Sequence, residues 1–261
     1  MNKKTKTKIA FWSPGFGKIG TSKALINSAL ILSQNKKIEC NIINVLGEFD
    51  NINFKKIKNK KLVPFSYLNF IPKEGIFFSR LSYLLIFLIS FFPLYFHLKK
   101  NKYDYIVIYL ISSLPLFLIK FFNLETKIVF RISGKININF LRKKLWDYSK
   151  TKVVAYLFQT LAAKKKFDKI FDNKKTFICY DPVINMSEIV KKKKKKISHS
   201  LPKFFFVGIG RLTKQKNFLF LVKQIHKIFK IYTNLNLLIL GEGEEKNKIQ
   251  SYIHKNNLNE R

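Results

Sequence analysis

The feature that most constrains this chain is a strand, a glycine-rich turn and a helix start that follow one another in its last quarter. The run Phe204–Val207 has the aromatic and β-branched residues of a buried strand, which breaks at Gly208 and Gly210, and a helix pattern opens near Lys216. This arrangement brings free amide N–H groups and the positive end of a helix to one point, where an anion can bind. Arg211 can hold a phosphate through two hydrogen bonds and Lys216 adds a point charge, so the turn predicts a diphosphate site. The alternative is a tight turn with solvated charges.

A second glycine motif follows at a short distance. Leu235–Leu240 has the pattern of a strand and ends in Gly241-Glu-Gly243. The series Val207-Gly-Ile-Gly-Arg-Leu-Thr-Lys-Gln-Lys-Asn217, a helix to Lys230 and then this strand end resemble the donor-binding half of a family 4 glycosyltransferase. The resemblance implies an α/β fold of the GT-B type, with two Rossmann-like domains and an active site in the cleft between them. It also implies transfer of a sugar from a nucleotide-sugar substrate, generally with retention of configuration, and it implies no cofactor.

The resemblance gives roles to particular residues. It implies that Gly210, Arg211 and Lys216 contact the donor diphosphate, and that Gly241 and Gly243 form the loop at the end of the second strand. The chemical difficulty in such a reaction is the diphosphate leaving group, whose developing charge is stabilised by cations and by a helix end. We identify neither a general base nor a metal-binding cluster in the sequence.

Another glycine-rich turn lies near the start of the chain, between a predicted strand and a predicted helix. Gly15, Gly17 and Gly20 match the G-x-G-x-x-G spacing of dinucleotide-binding proteins, which suggests an oxidoreductase as a competing function. That function requires an acidic residue at the end of the second strand, whereas Glu39 begins this strand and Glu48 lies past it. In the glycosyltransferase family, the same turn faces the cleft near the acceptor and the donor phosphates. A tight turn without a ligand is a third interpretation.

Two apolar runs in the first half of the chain suggest a transmembrane hairpin by hydropathy alone. Leu81–Leu98 carries no formal charge, and as a helix it would extend about 27 Å, near the lower limit for crossing a bilayer. The second run contains Tyr105–Leu110, which has the composition of a strand, and also Lys120. We therefore predict a helix, a strand, a loop and a helix. The surplus apolar surface of the first helix either meets a membrane face or is buried in the core.

A cation ends the next predicted strand. The strand Thr126–Ile132 ends in Arg131-Ile-Ser-Gly134, and open α/β sheets place their ligands at this carboxyl end. The segment from Arg131 through Phe140–Trp146 also resembles a branch of the family that makes bacterial surface polysaccharide and lipopolysaccharide. Other members of the family often carry a histidine in this neighbourhood, where this chain shows none, and Arg131 is therefore only a candidate catalytic residue. The alternative is a structural arginine.

The formal net charge of +35 narrows the classes of function. Arginine occurs only five times, so nearly all of the positive charge is lysine. Nucleic-acid-binding proteins tend to cluster arginine on one face, and we predict no specific nucleic-acid partner. Anionic lipid attracts a basic protein by about 1 kcal/mol for each cation near the surface. A non-enzymatic basic module that binds membrane or nucleic acid is the alternative function, and its binding would fall steeply with salt.

Cysteine usage and the N-terminus point to a compartment. Cys40 and Cys179 have no metal-ligand spacing and fit a reducing cytoplasm. The apolar run Ile9–Trp12 is too short for a signal peptide. We predict a cytoplasmic protein, peripheral on the inner face of the plasma membrane. Its expected partners are a nucleotide sugar, a lipid-linked or polysaccharide acceptor and an anionic membrane surface.

A lysine-rich stretch suggests the domain boundaries. We predict an acceptor-side Rossmann-like domain at 1–185, a linker at 186–201 and a partial nucleotide-sugar-binding domain at 202–261. Lys191–Lys196 is a block of like charges that repel one another and stay solvated, and a membrane or nucleic-acid contact there is the alternative. The last domain has two predicted strands where a doubly wound unit has about six. The sequence thus predicts a C-terminally truncated chain of doubtful activity, without the two-glutamate motif of the family.

Overall fold

The computed structural model divides the chain into two compact units, Met1–Met186 and Ser187–Arg261. The structure describes residues 6–13, 20–44, 49, 63–64, 79–109, 112–133, 139–171, 175–182, 184, 186–195 and 200–261.

The described residues of the first unit form seven parallel strands. These are β1 Thr7–Trp12, β2 Ile38–Asn44, β3 Val63–Pro64, β4 Tyr105–Tyr109, β5 Lys127–Ile132, β6 Val153–Phe158 and β7 Thr176–Ile178. Their order in the sheet is β3-β2-β1-β4-β5-β6-β7. The order reverses between β1 and β4, because the chain first adds strands on one side of β1 and then on the other. Ligands of open parallel sheets bind at such a point, beyond the carboxyl ends of the strands.

Helices cover both faces of this sheet, as parallel sheets require. Residues that alternate along a strand reach opposite faces, so Ile106 and Ile108 enter one core whereas Tyr109 enters the other. The helices of this unit are α1 Gly20–Leu32, α2 Ser79–Asn101, α3 Leu114–Phe121, α4 Phe140–Ser149 and α5 Leu161–Ile170. The first core is completed by α2, α3, α4 and α5, and the second by α1.

The structure confirms the helix, strand and helix that were predicted in the two apolar runs. Helix α2 contains Leu81–Leu98, and β4 lies between β1 and β5 with Ile106 and Ile108 fully buried. A central strand of a sheet cannot be the second half of a transmembrane hairpin. Across the described ranges, the structure has no helix that is both long and apolar enough to span a bilayer.

The second unit pairs two parallel strands and packs two helices against them. The strands are β8 Phe204–Ile209 and β9 Leu235–Leu240. A helix α6, Met186–Lys193, precedes β8; α7 Phe218–Phe229 and α8 Lys246–Lys255 follow β8 and β9 respectively. The core of this unit is built around Leu212, Phe218, Val222 and Ile249.

Two predictions about β8 are wrong. The strand does not break at Gly208 but continues to Ile209, because Gly208 remains paired with β9. The missing side chain of Gly208 lets the Phe218 ring approach the backbone. A Cβ at this position would lie 2.7 Å from that ring. The strand is also not buried: Phe206 is 52% exposed and Val207 likewise. Among the described elements, β8 has β9 on one edge only, so its aromatic residues lack the neighbours that would cover them.

The lysine-rich stretch contains a helix that the prediction of a solvated linker did not include. Helix α6 extends through Lys191–Lys193, whose side chains are exposed. Lysine has a high helix propensity, and its long side chain lets neighbouring charges separate into water.

Candidate functional site

The turn between β8 and α7 leads into a helix start that no side chain caps. Asn217 precedes the helix in the left-handed region, with φ 53° and ψ 43°, a conformation that asparagine tolerates better than most residues. Its side chain makes no capping hydrogen bond, and the first turn of α7 carries no acidic residue. The positive end of α7 is therefore not compensated by side chains of the helix itself.

Three exposed cations belong to this turn. They are Arg211, Lys214 and Lys216. In the part of the chain that the structure describes, none of them forms an ion pair with a carboxylate. Their charge is consequently available to a ligand. The sequence analysis singled out Arg211 and Lys216; it gave no role to Lys214, which lies between them in the same series.

The loops that follow β8 and β9 are tied together through their backbones. The amide of Gly210 donates to the Leu240 carbonyl at 3.0 Å, and the amide of Leu212 donates to the Glu242 carbonyl at 2.8 Å. The Leu212 carbonyl accepts in turn from the Glu245 amide at 2.9 Å, while the Leu212 side chain is buried in the core. The cationic turn is thus held by the neighbouring strand end.

This close approach explains both glycines of the strand-end loop. A Cβ at Gly241 would collide with the carbonyl oxygen of Gly210, and a Cβ at Gly243 would collide with the carbonyl oxygen of Leu212. The two glycines therefore pack directly against the turn that carries Gly210 and Arg211. Their role toward the donor remains a prediction, as does that of Gly210.

Replacing Gly241 with alanine should destabilise the second unit by about 1–3 kcal/mol, since the added methyl group must displace backbone atoms rather than a flexible side chain. Chemical unfolding followed by far-ultraviolet circular dichroism measures this change. Gly20→Ala is the control, because beyond its chain neighbours and its own helix no described atom lies within 4 Å of the Cβ position there. Equal stability of the two variants would contradict the close approach.

In the first unit, Arg131 lies at the carboxyl end of β5 and is only 2% exposed. Its Nε donates to Asp181 Oδ1 at 2.6 Å, and Nη2 lies 2.6 Å from the same oxygen. Among the described residues, neither Nη1 nor Nη2 has a hydrogen-bond partner, although both are buried. Arg131 is therefore a buried, ion-paired arginine whose two terminal nitrogens keep unused donors. Its catalytic role remains a prediction.

Neighbouring polar contacts attach helix α1 to this edge of the sheet. Tyr109 lies opposite Arg131 in the β4–β5 register, and its hydroxyl donates to Ser28 Oγ at 2.7 Å. Burial raises the pKa of Tyr109 to about 12, so the hydroxyl keeps its proton at neutral pH. The Asn27 side chain donates to the carbonyl of Pro182. The segment that follows β7 is consequently fastened at two adjacent residues.

The glycine-rich turn near the N-terminus is only partly visible. Gly15 and Gly17 lie outside the described residues, and Gly20 is the first residue of α1. The described part of β2 ends at Asn44 and carries its carboxylate, Glu39, at the second residue. A dinucleotide site needs a carboxylate at the other end of that strand; Glu48 is also outside the described residues.

Comparisons with known proteins agree with this architecture. A segment of 55 residues, 21% of the chain, is 49% identical to an uncharacterized glycosyltransferase of Methanocaldococcus jannaschii and covers 14% of that protein. No protein-family model matches the chain. The structure is similar to a lipopolysaccharide outer core galactosyltransferase, with a TM-score of 0.55 and 16% identity over 98% of this chain and 66% of the other. It is also similar to UDP-GlcNAc 2-epimerase of Neisseria meningitidis bound to UDP-GlcNAc, with a TM-score of 0.60 and 9% identity over 95% of this chain and 69% of the other.

These similarities confirm the prediction of a GT-B-like α/β fold. The chain spans about two thirds of the length of the galactosyltransferase, 66%, and a much smaller part of the M. jannaschii protein.

Proposed function

We propose that this chain functions as a glycosyltransferase that moves a sugar from a nucleotide-sugar donor to a lipid-linked or surface polysaccharide acceptor. The segment that is 49% identical to a curated glycosyltransferase supports the reaction class. The fold is shared with a lipopolysaccharide outer core galactosyltransferase, and this similarity supports the proposed class of acceptor. The donor is a substrate, and the proposal requires no cofactor.

The observation that carries the proposal is the turn between β8 and α7. Arg211, Lys214 and Lys216 are exposed there without ion-pair partners in the described chain, beside a helix start that no side chain caps. Two phosphates placed at this turn would meet backbone amides and cations together. The same groups would stabilise the diphosphate as the bond to the sugar breaks, which is where the negative charge develops.

The first unit would supply the acceptor side. Its sheet reverses order between β1 and β4, and Gly15, Gly17 and Gly20 follow β1 directly. Glycines at this position let backbone amides approach a bound group closely. Retention of configuration at the transferred sugar is part of the proposal, carried over from the family resemblance.

Nucleotide binding by the whole chain tests the proposal. Calorimetry should give an affinity for UDP at least about 10-fold higher than for UMP, because the second phosphate makes charge-assisted hydrogen bonds. UDP is the first probe since a structural neighbour is bound to UDP-GlcNAc; GDP and ADP extend the panel. Inorganic tripolyphosphate is the control for charge alone. Equal affinities for UMP, for every diphosphate and for tripolyphosphate would favour the basic-module alternative and overturn the proposal.

A further inference from the structure

One side of helix α2 exposes large apolar residues at intervals of one helical turn. Leu88 is 58% exposed, Phe92 64% and Phe96 59%. Residues four apart lie above one another on the same helix face, so the three form a continuous stripe. The opposite side of α2 is embedded in the first core, where Leu94 and Leu98 are fully buried. The helix therefore lies flat on its unit and presents an apolar stripe outward.

Aromatic rings at the end of α3 widen this stripe, and one of them, Phe122, is the residue that follows the helix. The Phe122 ring lies 4.5 Å from the Tyr95 ring and 6.2 Å from the Phe91 ring of α2. Phe121, which is exposed, stacks on Phe117 at 5.0 Å. Such contacts restrict the rings and keep the apolar area in place when no partner is bound.

The charged residues of the two helices that carry the stripe are all of one sign. Lys99 and Lys100 end α2 as exposed residues, with Lys99 Nζ 5.5 Å from the centre of the Tyr95 ring. Neither α2 nor α3 contains an Asp or Glu. We call the stripe, the adjoining phenylalanine rings and Lys99 and Lys100 the aromatic–lysine surface.

We propose that the aromatic–lysine surface docks this protein on a bilayer containing anionic lipid, with α2 parallel to the membrane plane. Lysine is depleted from protein–protein interfaces, whereas an apolar stripe bordered by lysines is typical of helices that lie at a lipid surface. The apolar rings would enter the region between headgroups and acyl chains, and the lysines would meet lipid phosphates. This inference goes beyond the proposed function and does not depend on it, since no nucleotide or sugar takes part.

Vesicle sedimentation with the full chain tests the docking surface. The wild-type protein should bind vesicles of phosphatidylcholine with about one third phosphatidylglycerol more tightly than vesicles of phosphatidylcholine alone. The triple variant Leu88→Ser, Phe92→Ser and Phe96→Ser should lower the partition coefficient at least about 10-fold, because each change removes apolar contact with the bilayer. Its control replaces three similarly exposed residues of α1, α5 and β7, namely Ile31→Ser, Leu161→Ser and Phe177→Ser, and should bind as the wild type does.

Charge is tested with a matched pair of double variants. Lys99→Gln with Lys100→Gln should weaken binding to the anionic vesicles by about 10- to 30-fold, given the attraction of each lysine to the surface. Lys165→Gln with Lys166→Gln on α5 lowers the net charge equally at exposed positions and should have a much smaller effect. Equal losses in the two double variants, or equal binding by the two serine variants, would overturn the proposal.

A single substitution gives a measurement that does not depend on the stability of the multiple variants. Phe92→Trp places an exposed indole in the stripe, whereas the native Trp12 and Trp146 are buried. Lipids brominated in the acyl chain should quench the fluorescence of the new residue and leave the native signal unchanged. Absence of this quenching would overturn the proposal. A second result would also overturn it: the protein forms a dimer without vesicles, and the triple serine variant of the stripe abolishes that dimer. The surface would then bind a second copy of the chain.

Discussion

Replacing Asp181 with alanine should lower the free energy of unfolding of the first unit by about 3–5 kcal/mol, the usual cost of leaving a buried charge without its partner. Arg131 is 2% exposed and its Nε and Nη2 both lie 2.6 Å from Asp181 Oδ1. Removing the carboxylate would leave the whole guanidinium buried without a counter-ion. Urea unfolding monitored by circular dichroism measures the loss, with each unit's transition fitted separately.

Two further variants separate the charge effect from the loss of packing. Arg131→Met combined with Asp181→Leu removes both charges and should recover much of the stability, since an apolar pair of similar volume avoids the desolvation cost. Asp168→Ala breaks a partly exposed pair with Lys164, whose Nζ–Oδ2 distance is 2.7 Å, and should cost less than about 1 kcal/mol. Similar losses for Asp168→Ala and Asp181→Ala would contradict the structural importance of the buried pair.

Changing Arg211 to alanine should lower the affinity for a nucleoside diphosphate by about 10- to 100-fold. The change removes charge-assisted hydrogen bonds, which contribute roughly 1.5–3 kcal/mol. Because Arg211 is exposed and makes no ion pair in the described chain, the unfolding free energy should hardly change. Calorimetric titration with UDP and a parallel unfolding experiment check the two halves of this prediction.

Matched variants assign the effect to the guanidinium group. Arg211→Lys keeps the charge but loses the two-pronged hydrogen bonding, so its affinity should lie between those of the wild type and the alanine variant. Lys255→Ala removes one exposed positive charge from the last turn of α8 and should bind UDP normally. An unchanged affinity in Arg211→Ala would remove this residue from the proposed site.

Much of the fold could be predicted from local sequence pattern. The predicted ends of β9, Leu235–Leu240, agree with the structure residue for residue. This strand is a short, mainly aliphatic run bounded by asparagine and glycine, so the information that defines it lies within a few positions. Local composition also distinguished a membrane hairpin from a helix followed by a strand, because Tyr105–Leu110 has the residues of a strand.

The candidate site was predictable to a smaller extent. Arg211 and Lys216 follow a strand and precede a helix, which is a local pattern, and the structure places both on an exposed turn. The carboxylate partner of Arg131 was not predictable, because Asp181 is 50 positions away along the chain. Nothing near either residue indicates that β5 and the segment after β7 meet at one edge of the sheet.

The sequence by itself determined the alternation of strands and helices, the two glycine motifs of the second unit and the cations beside them, since each depends on neighbouring residues. Tertiary structure alone decided the strand order β3-β2-β1-β4-β5-β6-β7, the exposure of β8 and the contact between Gly241 and the Gly210 carbonyl. These features depend on which distant segments pack together. A buried ion pair or a covered strand exists only when both partners are in place, so no local pattern can specify it.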